Sequence, residues 1–271
     1  SKKKIIYDIG ANNGDDIPYY LSKSDLIVAV EADPNLCNLI KQKFKEEIKN
    51  DKLIVENCVV ITDNKTKEVP FYISKEKSVW NQYPKPFSDN EKIVSNDFEV
   101  KIGASVMDKN NYFDVFYKPL MKNFKEVYLP SKDILEIIKT HGNPYYIKID
   151  VERYDHEILK RLLTNNIIPP YISAESNNIE VFSSLIIHGR YNAFKLVEGA
   201  TVPEKYKHFS FPEHSAGPFG NDINGPWMTA HNFFHVLGIM GLGWKDIHAS
   251  NVDPADPLCR PTPSIEIKMD L

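Results

Sequence analysis

Four acidic residues stand at the ends of short apolar runs. Asp8 lies in Lys4–Ile9 (KIIYDI), Glu31 follows Leu26–Val30 (LIVAV), Asp150 follows Tyr145–Ile149 (YYIKI) and Glu175 follows Tyr171–Ala174 (YISA). Such runs, rich in β-branched and aromatic residues, suit strands buried on both faces. If the strands are parallel, the four carboxylates gather on one edge of a sheet, where open α/β sheets bind their ligands. A carboxylate at the tip of the second strand, Glu31, is the usual partner of a ribose diol. Asp150 is the first candidate for a general base toward a hydroxyl, with Glu175 sharing the work. Asp150 with Glu175, joined by Glu152, could also hold a hard divalent cation such as Mg2+ through oxygen ligands. Lys148 precedes Asp150 by two residues and so shares its strand face. It could pair with a carboxylate and keep it ionised, or form a purely structural ion pair.

The first strand runs directly into Gly10-Ala11-Asn12-Asn13-Gly14. Asp15 and Asp16 then suit the N-cap and first turn of a helix through Leu21, with Pro18 tolerated there. A glycine turn between strand and helix lets backbone approach a ligand closely. The turn departs from the dinucleotide fingerprint G-x-G-x-x-G, because Asn12 stands where its middle glycine would be. A strand-end acid, a G-x-x-x-G turn and an acid closing the second strand look like the nucleoside half of a class I S-adenosylmethionine-dependent methyltransferase. In that reading Gly10, Ala11, Asn12 and Gly14 cradle the cofactor, and Asp8 helps hold its amino-acid end through water or backbone. Glu31 and Ala32 meet the ribose, and Asn57 and Cys58, beyond a third strand at Leu53–Glu56, lie beside the base. The bland alternative is a plain strand–turn–helix.

Composition sets the bounds. The chain has 271 residues and a net charge of -4, enough to bury a core in one large α/β domain or two small ones. The charge argues against a general nucleic-acid or anionic-membrane binder. Cys37, Cys58 and Cys259 are widely spaced and odd in number, which argues against a disulfide framework. No membrane-spanning run and no signal peptide are visible, predicting a protein of the reducing cytoplasm.

The elements alternate as a parallel sheet requires. Pro34–Asn50 reads as one helix on the spacing of Leu36, Leu39, Ile40, Phe44 and Ile48. Lys65–Ile73 reads as a hairpin arm. The pattern loosens from 74 to 130, an expected insertion or lid in which Lys77–Tyr83 (KSVWNQY) could cover the cofactor or meet the substrate, with Trp80 the candidate substrate contact. A helix capped by Ser131 and Asp133 follows, then helices at Tyr154–Leu163 and Ile179–His188, strands at Tyr145–Ile149, Tyr171–Ala174 and Tyr191–Val197, and a final antiparallel strand at Trp244–Ala249. The stretch 198–227 is irregular, polar and aromatic, as suits a substrate-facing loop. His214, Ser215, Asn221 and Asp222 could contact hydroxyls there, and Phe219 or Trp227 could stack on a sugar. His231 and His235 share a helix face, without the intervening acid of a zincin. The Pro-rich stretch 253–263 could pack as an arm or support a homo-oligomer.

The segments DIGANNGD, VAVEADP, YIKIDVERYDHEIL, YISAES and YNAFKLV, in that order, resemble the FkbM family of methyltransferases. The likeness covers roughly 4–64 and 130–249, and its most discriminating part is Lys148–Asp150–Glu152. Arg153 stands where that family usually has Gly. The resemblance implies a Rossmann-like class I methyltransferase fold, with a mostly parallel seven-stranded sheet and helices on both faces, in a single domain over 1–271. It also implies S-adenosylmethionine as cofactor and O-methylation of a sugar, glycan or natural-product hydroxyl. Glu152, Trp80, His214, Phe219 and Trp227 would then face the substrate. A nicotinamide-dependent oxidoreductase and a non-catalytic binding module of the same fold stay open. A nucleic-acid methyltransferase is disfavoured by charge and by the lack of an Asn-Pro-Pro-Tyr motif.

Overall fold

The apolar runs are strands, and seven of them form one sheet. The computed structural model describes residues 3–84, 99–102, 105–108, 124–241 and 243–252. Its first elements are β1 (Ile5–Ile9), α1 (Ile17–Leu21), β2 (Leu26–Glu31), α2 (Pro34–Lys43), α3 (Lys45–Lys49) and β3 (Leu53–Asn57). Next come β4 (Val59–Ile61), β5 (Glu68–Ser74), β6 (Glu99–Ile102), β7 (Ser105–Asp108) and β8 (Phe124–Asp133). The last set is α4 (Ile134–His141), β9 (Tyr146–Ile149), α5 (Asp155–Thr164), β10 (Tyr171–Ser176), α6 (Ile179–Ile187), β11 (Ala193–Glu198), α7 (Val202–Lys205), α8 (Ala230–Met240) and β12 (Gly243–Ser250).

The main sheet runs β3-β2-β1-β9-β10-β12-β11. Neighbours from β3 to β10 are parallel, and β12 is antiparallel to both β10 and β11. The chain starts at the middle, builds outward to β3, then returns to the other side of β1 as β9. That reversal opens a crevice at the carboxyl ends of β1 and β9, the usual ligand position in such sheets.

Side chains alternate across the pleat, so each strand feeds two cores. Tyr7, Ile9, Val28, Ile147 and Ile149 pack against Ile137, Ile158, Leu162, Val181 and Leu185 of α4, α5 and α6. Ile6, Ile27, Ala29 and Tyr146 pack on the opposite face against Ile17 and Tyr20 of α1, Ile40 of α2, and Val202, Phe211 and Phe219. Helices therefore cover both faces of a mostly parallel seven-stranded sheet, the Rossmann-like arrangement expected.

Several local expectations are corrected. The helix at Pro34–Asn50 breaks at Phe44, whose φ of -118 and ψ of 38 are not helical. The hairpin is absent: β4 and β5 do not pair with each other, because β8 lies between them, parallel to β4 and antiparallel to β5. Ser131 belongs to β8, and Asp133 alone caps α4 by accepting from the Leu135 amide. Asp16 occupies the N-cap position of α1 but makes no capping bond. The stretch 253–263, Cys259 and much of 74–130 lie outside the described residues. Among the described residues, no helix is long and apolar enough to cross a membrane.

Candidate active site

The glycine turn is fixed from both neighbouring strands. The Gly10 and Ala11 amides donate to the Val30 carbonyl at 2.9 and 3.0 Å, hooking the turn onto the tip of β2. On the other side the backbone is so close to β9 that a Cβ at Gly10 would lie 1.8 Å from the Asp150 carbonyl oxygen. The φ of +86 at Gly10 also favours glycine. Gly14, at φ +81, is needed for packing: a Cβ there would crowd Phe44, Ile17 and Ile40.

Glu31 is locked in place at the end of β2. Its Oε2 accepts from the Asn12 amide at 2.8 Å and its Oε1 from the Asp33 amide at 2.9 Å. One acceptor lone pair on each oxygen remains for a ligand. Burial raises its pKa to about 7 against the lowering effect of the two amides. The Asn57 side chain donates to the Glu31 and Ala32 carbonyls, both at 3.0 Å. It braces the strand tip from behind and does not line the cavity.

Lys148 is the hub of the crevice. Its ammonium lies 3.1 Å from Asp8 Oδ1, 3.6 Å from Asp150 Oδ2 and 3.8 Å from Asp16 Oδ2, and donates to the Gly10 carbonyl at 3.3 Å. Burial pulls its pKa down, but Asp8, Asp150 and Asp16 outweigh that and hold it well above the usual lysine value. Asp8 is fully buried behind Lys148 and does not itself line the cavity, so any hold on a ligand runs through its neighbours. Asp16 accepts from the Ser215 hydroxyl and from the Ala216 amide, the latter at 3.1 Å. Burial raises the Asp16 pKa to about 6. This contact spans 199 residues and anchors the 212–217 loop to α1.

Beyond Lys148 the acids crowd together. Asp150, Glu152 and Glu175 each offer an oxygen within 4.8 Å of the others. Glu175 stands opposite Asp246 in the β10–β12 register. Burial, then the Asp150 charge, pushes Glu152 and Glu175 up to about 9. Glu152 and Arg153 both have left-handed backbones, with φ of 54 and 73. Arg153 therefore occupies a conformation that favours glycine, and a non-glycine residue there costs roughly 1–2 kcal/mol.

These groups line one cavity of ≈ 440 Å³. Its wall holds Gly10, Ala11, Asn12, Glu31, Ala32, Cys58, Lys148, Asp150, Glu152, Glu175, Trp80 and His214 together. One rim is the short turn Ser78–Trp80, tied down by Ser78 Oγ to Asn12 Oδ1 at 3.3 Å and Asn81 Nδ2 to Asp33 Oδ2 at 3.2 Å. The other rim pairs His214 with Trp244, their rings 6.2 Å apart.

Two expected substrate contacts are corrected. Phe219 is buried and stacked on Tyr146, with centroids 4.1 Å apart and planes at 11°. Trp227 is buried, donates to Asn221 Oδ1 at 2.9 Å and lies under Lys195. Both aromatics enter the core because the loop carrying them folds back over the sheet. Asn221 and Asp222 are likewise engaged, Asp222 by Tyr19 and Lys23 at 2.8 and 2.6 Å. His231 and His235 meet edge to face, with centroids 4.9 Å apart, and neither lines this cavity.

Sequence reasoning missed Asp246, Trp244 and Tyr154 as wall residues. Asp246 and Trp244 could have been found from the expected antiparallel strand, since a strand beside β10 brings its early residues to the Glu175 end. Tyr83 and Tyr154 meet edge to face at 5.1 Å from segments 71 residues apart, a pairing that no local pattern signals.

The donor set fits a nucleoside bearing a cationic tail: a fixed carboxylate at the β2 tip, small apolar side chains at Ala32, Cys58 and Val59, and acids at the far end. Residues 8–184 match the methyltransferase FkbM domain. The chain belongs to the FkbM methyltransferase family. No curated protein matches this chain in sequence. Among solved structures, it is similar to a precorrin-6y C5,15-methyltransferase from Geobacter metallireducens, at 9% identity and a TM-score of 0.35. That match covers 72% of this chain and 66%, just under two thirds, of the other. It is also similar to the [4+2]-cyclase SpnF, at 6% identity and a TM-score of 0.37, over 92% of this chain and 74% of that one.

Proposed function

We propose that this FkbM-family protein transfers a methyl group from S-adenosylmethionine to a hydroxyl of a sugar, glycan or natural-product acceptor. One observation carries the reading: Glu31 and Asp150, at the tips of β2 and β9, face the same cavity from either side of the glycine turn. Bound there, S-adenosylmethionine would supply a methyl group activated by its sulfonium. Glu31 accepts hydrogen bonds from the ribose hydroxyls through its free lone pairs. Ala32, Cys58 and Val59 give an apolar surface for the base, and the turn Ser78–Trp80 covers that end.

Asp150 takes the proton from the acceptor hydroxyl as the methyl–oxygen bond forms. It is the part-exposed acid beside Lys148, and the ammonium 3.6 Å away fixes its position. Glu175, at the tip of β10, lines the same end of the cavity and shares that work. His214 and Trp244 flank the acceptor end of the cavity. Holding nucleophile and methyl group in line is itself the larger part of such catalysis.

The test is a release assay for S-adenosylhomocysteine across nucleotide sugars, free glycans and hydroxylated aglycones. Turnover with one of them, abolished by Asp150→Asn while S-adenosylhomocysteine still binds in calorimetry, is the expected result. Cofactor binding with no turnover on any acceptor would favour a non-catalytic binding module, and no binding at all would remove the cofactor.

A further inference from the structure

Five carboxyl groups converge below the acceptor end of the cavity: Asp150, Glu152, Asp155, Glu175 and Asp246. Each of the other four feels the charge of Asp150. Among the described residues, Lys148, already shared with Asp8 and Asp16, and Arg153, which acts on Glu152, are cations that act on the group. Acids alone would say little, because exposed carboxylates often cluster. Asp155 is different. It is 0% exposed at the start of α5, and neither of its oxygens has a hydrogen-bond partner on another described residue. Asp150 and Glu152 are its strongest electrostatic neighbours, and Glu175 feels its charge in turn. A carboxyl buried without a donor is costly unless a cation or proton answers it.

We propose that Asp150, Glu152 and Glu175 bind one hard divalent cation, with Asp155 as the buried carboxylate behind it. The donors are all oxygen, which suits Mg2+, Mn2+ or Ca2+ and not a thiolate- or imidazole-seeking metal. The spacing is compatible. Oxygens bound to Mg2+ at about 2.1 Å lie at most roughly 4.2 Å apart, and those around Ca2+ up to about 5 Å. The three oxygens lie within 4.8 Å of one another, so a small closing movement seats either ion. Three protein oxygens leave further coordination positions open toward the cavity. Acceptor hydroxyl oxygens could fill them and be polarised there. That last role rests on the methyl-transfer reading; the binding of the cation does not.

Mn2+ is titrated into the full chain without cofactor, and free Mn2+ is followed by electron paramagnetic resonance. One saturable site is expected, competed by Mg2+ or Ca2+. Glu152→Gln and Glu175→Gln should each abolish it. Asp155→Asn should weaken it by at least about tenfold, the usual effect of losing an outer carboxylate. Circular dichroism confirms that each variant is folded, and Glu152→Gln, on an irregular segment, is the variant least able to disturb the core. Absence of saturable binding, or binding indifferent to all three substitutions, overturns the site. Calorimetry with S-adenosylhomocysteine in chelator, run in parallel, tests the cofactor reading separately.

Discussion

Lys148 and Asp8 are register partners on the adjacent parallel strands β9 and β1, and their side chains meet at 3.1 Å. The same ammonium also serves Asp16 and Asp150. Replacing Lys148 with Met leaves three acids near one another without their counter-charge. Removing one partner of a buried pair costs about 3–5 kcal/mol, so Lys148→Met should lower the urea midpoint accordingly. Lys148→Met with Asp8→Asn should recover part of the loss. Equal midpoints for the single variant and the parent would show that the pair adds nothing.

Glu31 gives a pH dependence with two opposite signs. Its pKa in the folded chain is raised from 4.5 to about 7. The stability it contributes to the free protein is therefore present below about 4.5 and lost as pH rises through 7. Ligand binding runs the other way, since ribose hydroxyls donate best to the ionised carboxylate. S-adenosylhomocysteine should bind up to about tenfold more tightly at pH 8 than at pH 6. Calorimetry at both values checks this, and Glu31→Gln should flatten the profile.

Gly10→Ala places a methyl group 1.8 Å from the Asp150 carbonyl oxygen, on a backbone with positive φ. Conformational strain alone costs roughly 1 kcal/mol, and the clash with main chain adds to it. A loss above about 2 kcal/mol in chemical denaturation is expected. Cofactor affinity should fall with it, because the turn cannot keep its path.

Phe219→Ala separates core from site. As a buried ring stacked on Tyr146 it should cost about 3–5 kcal/mol. Cofactor affinity measured where the variant remains folded should stay near that of the parent. A stable variant with impaired acceptor use would return Phe219 to the substrate wall.

The sequence was most informative where a single short segment determines the outcome. β1, the glycine turn and Glu31 could be read because strand burial and backbone freedom leave local marks. The four strand-tip acids were placed together by topology, which follows from alternating strands and helices. Asp16 was misread because its partner, Ser215, is 199 residues away and a helix start is the commoner use of Asp. Phe219 and Trp227 were misread because an aromatic in an irregular loop has no periodicity to say whether it faces in or out. The hairpin failed for a similar reason: β8 (FKEVYLPSKD) is charged and contains Pro130, so nothing local announced the strand that separates β4 from β5.

The contact between Gly10 and the Asp150 carbonyl has a mechanical corollary. The two halves of the proposed reaction centre, one gripping the donor and one deprotonating the acceptor, share a hinge with no slack. New acceptor preferences are then most easily acquired at the rims, around Ser78–Trp80 and His214–Trp244, while the distance from grip to base is inherited unchanged.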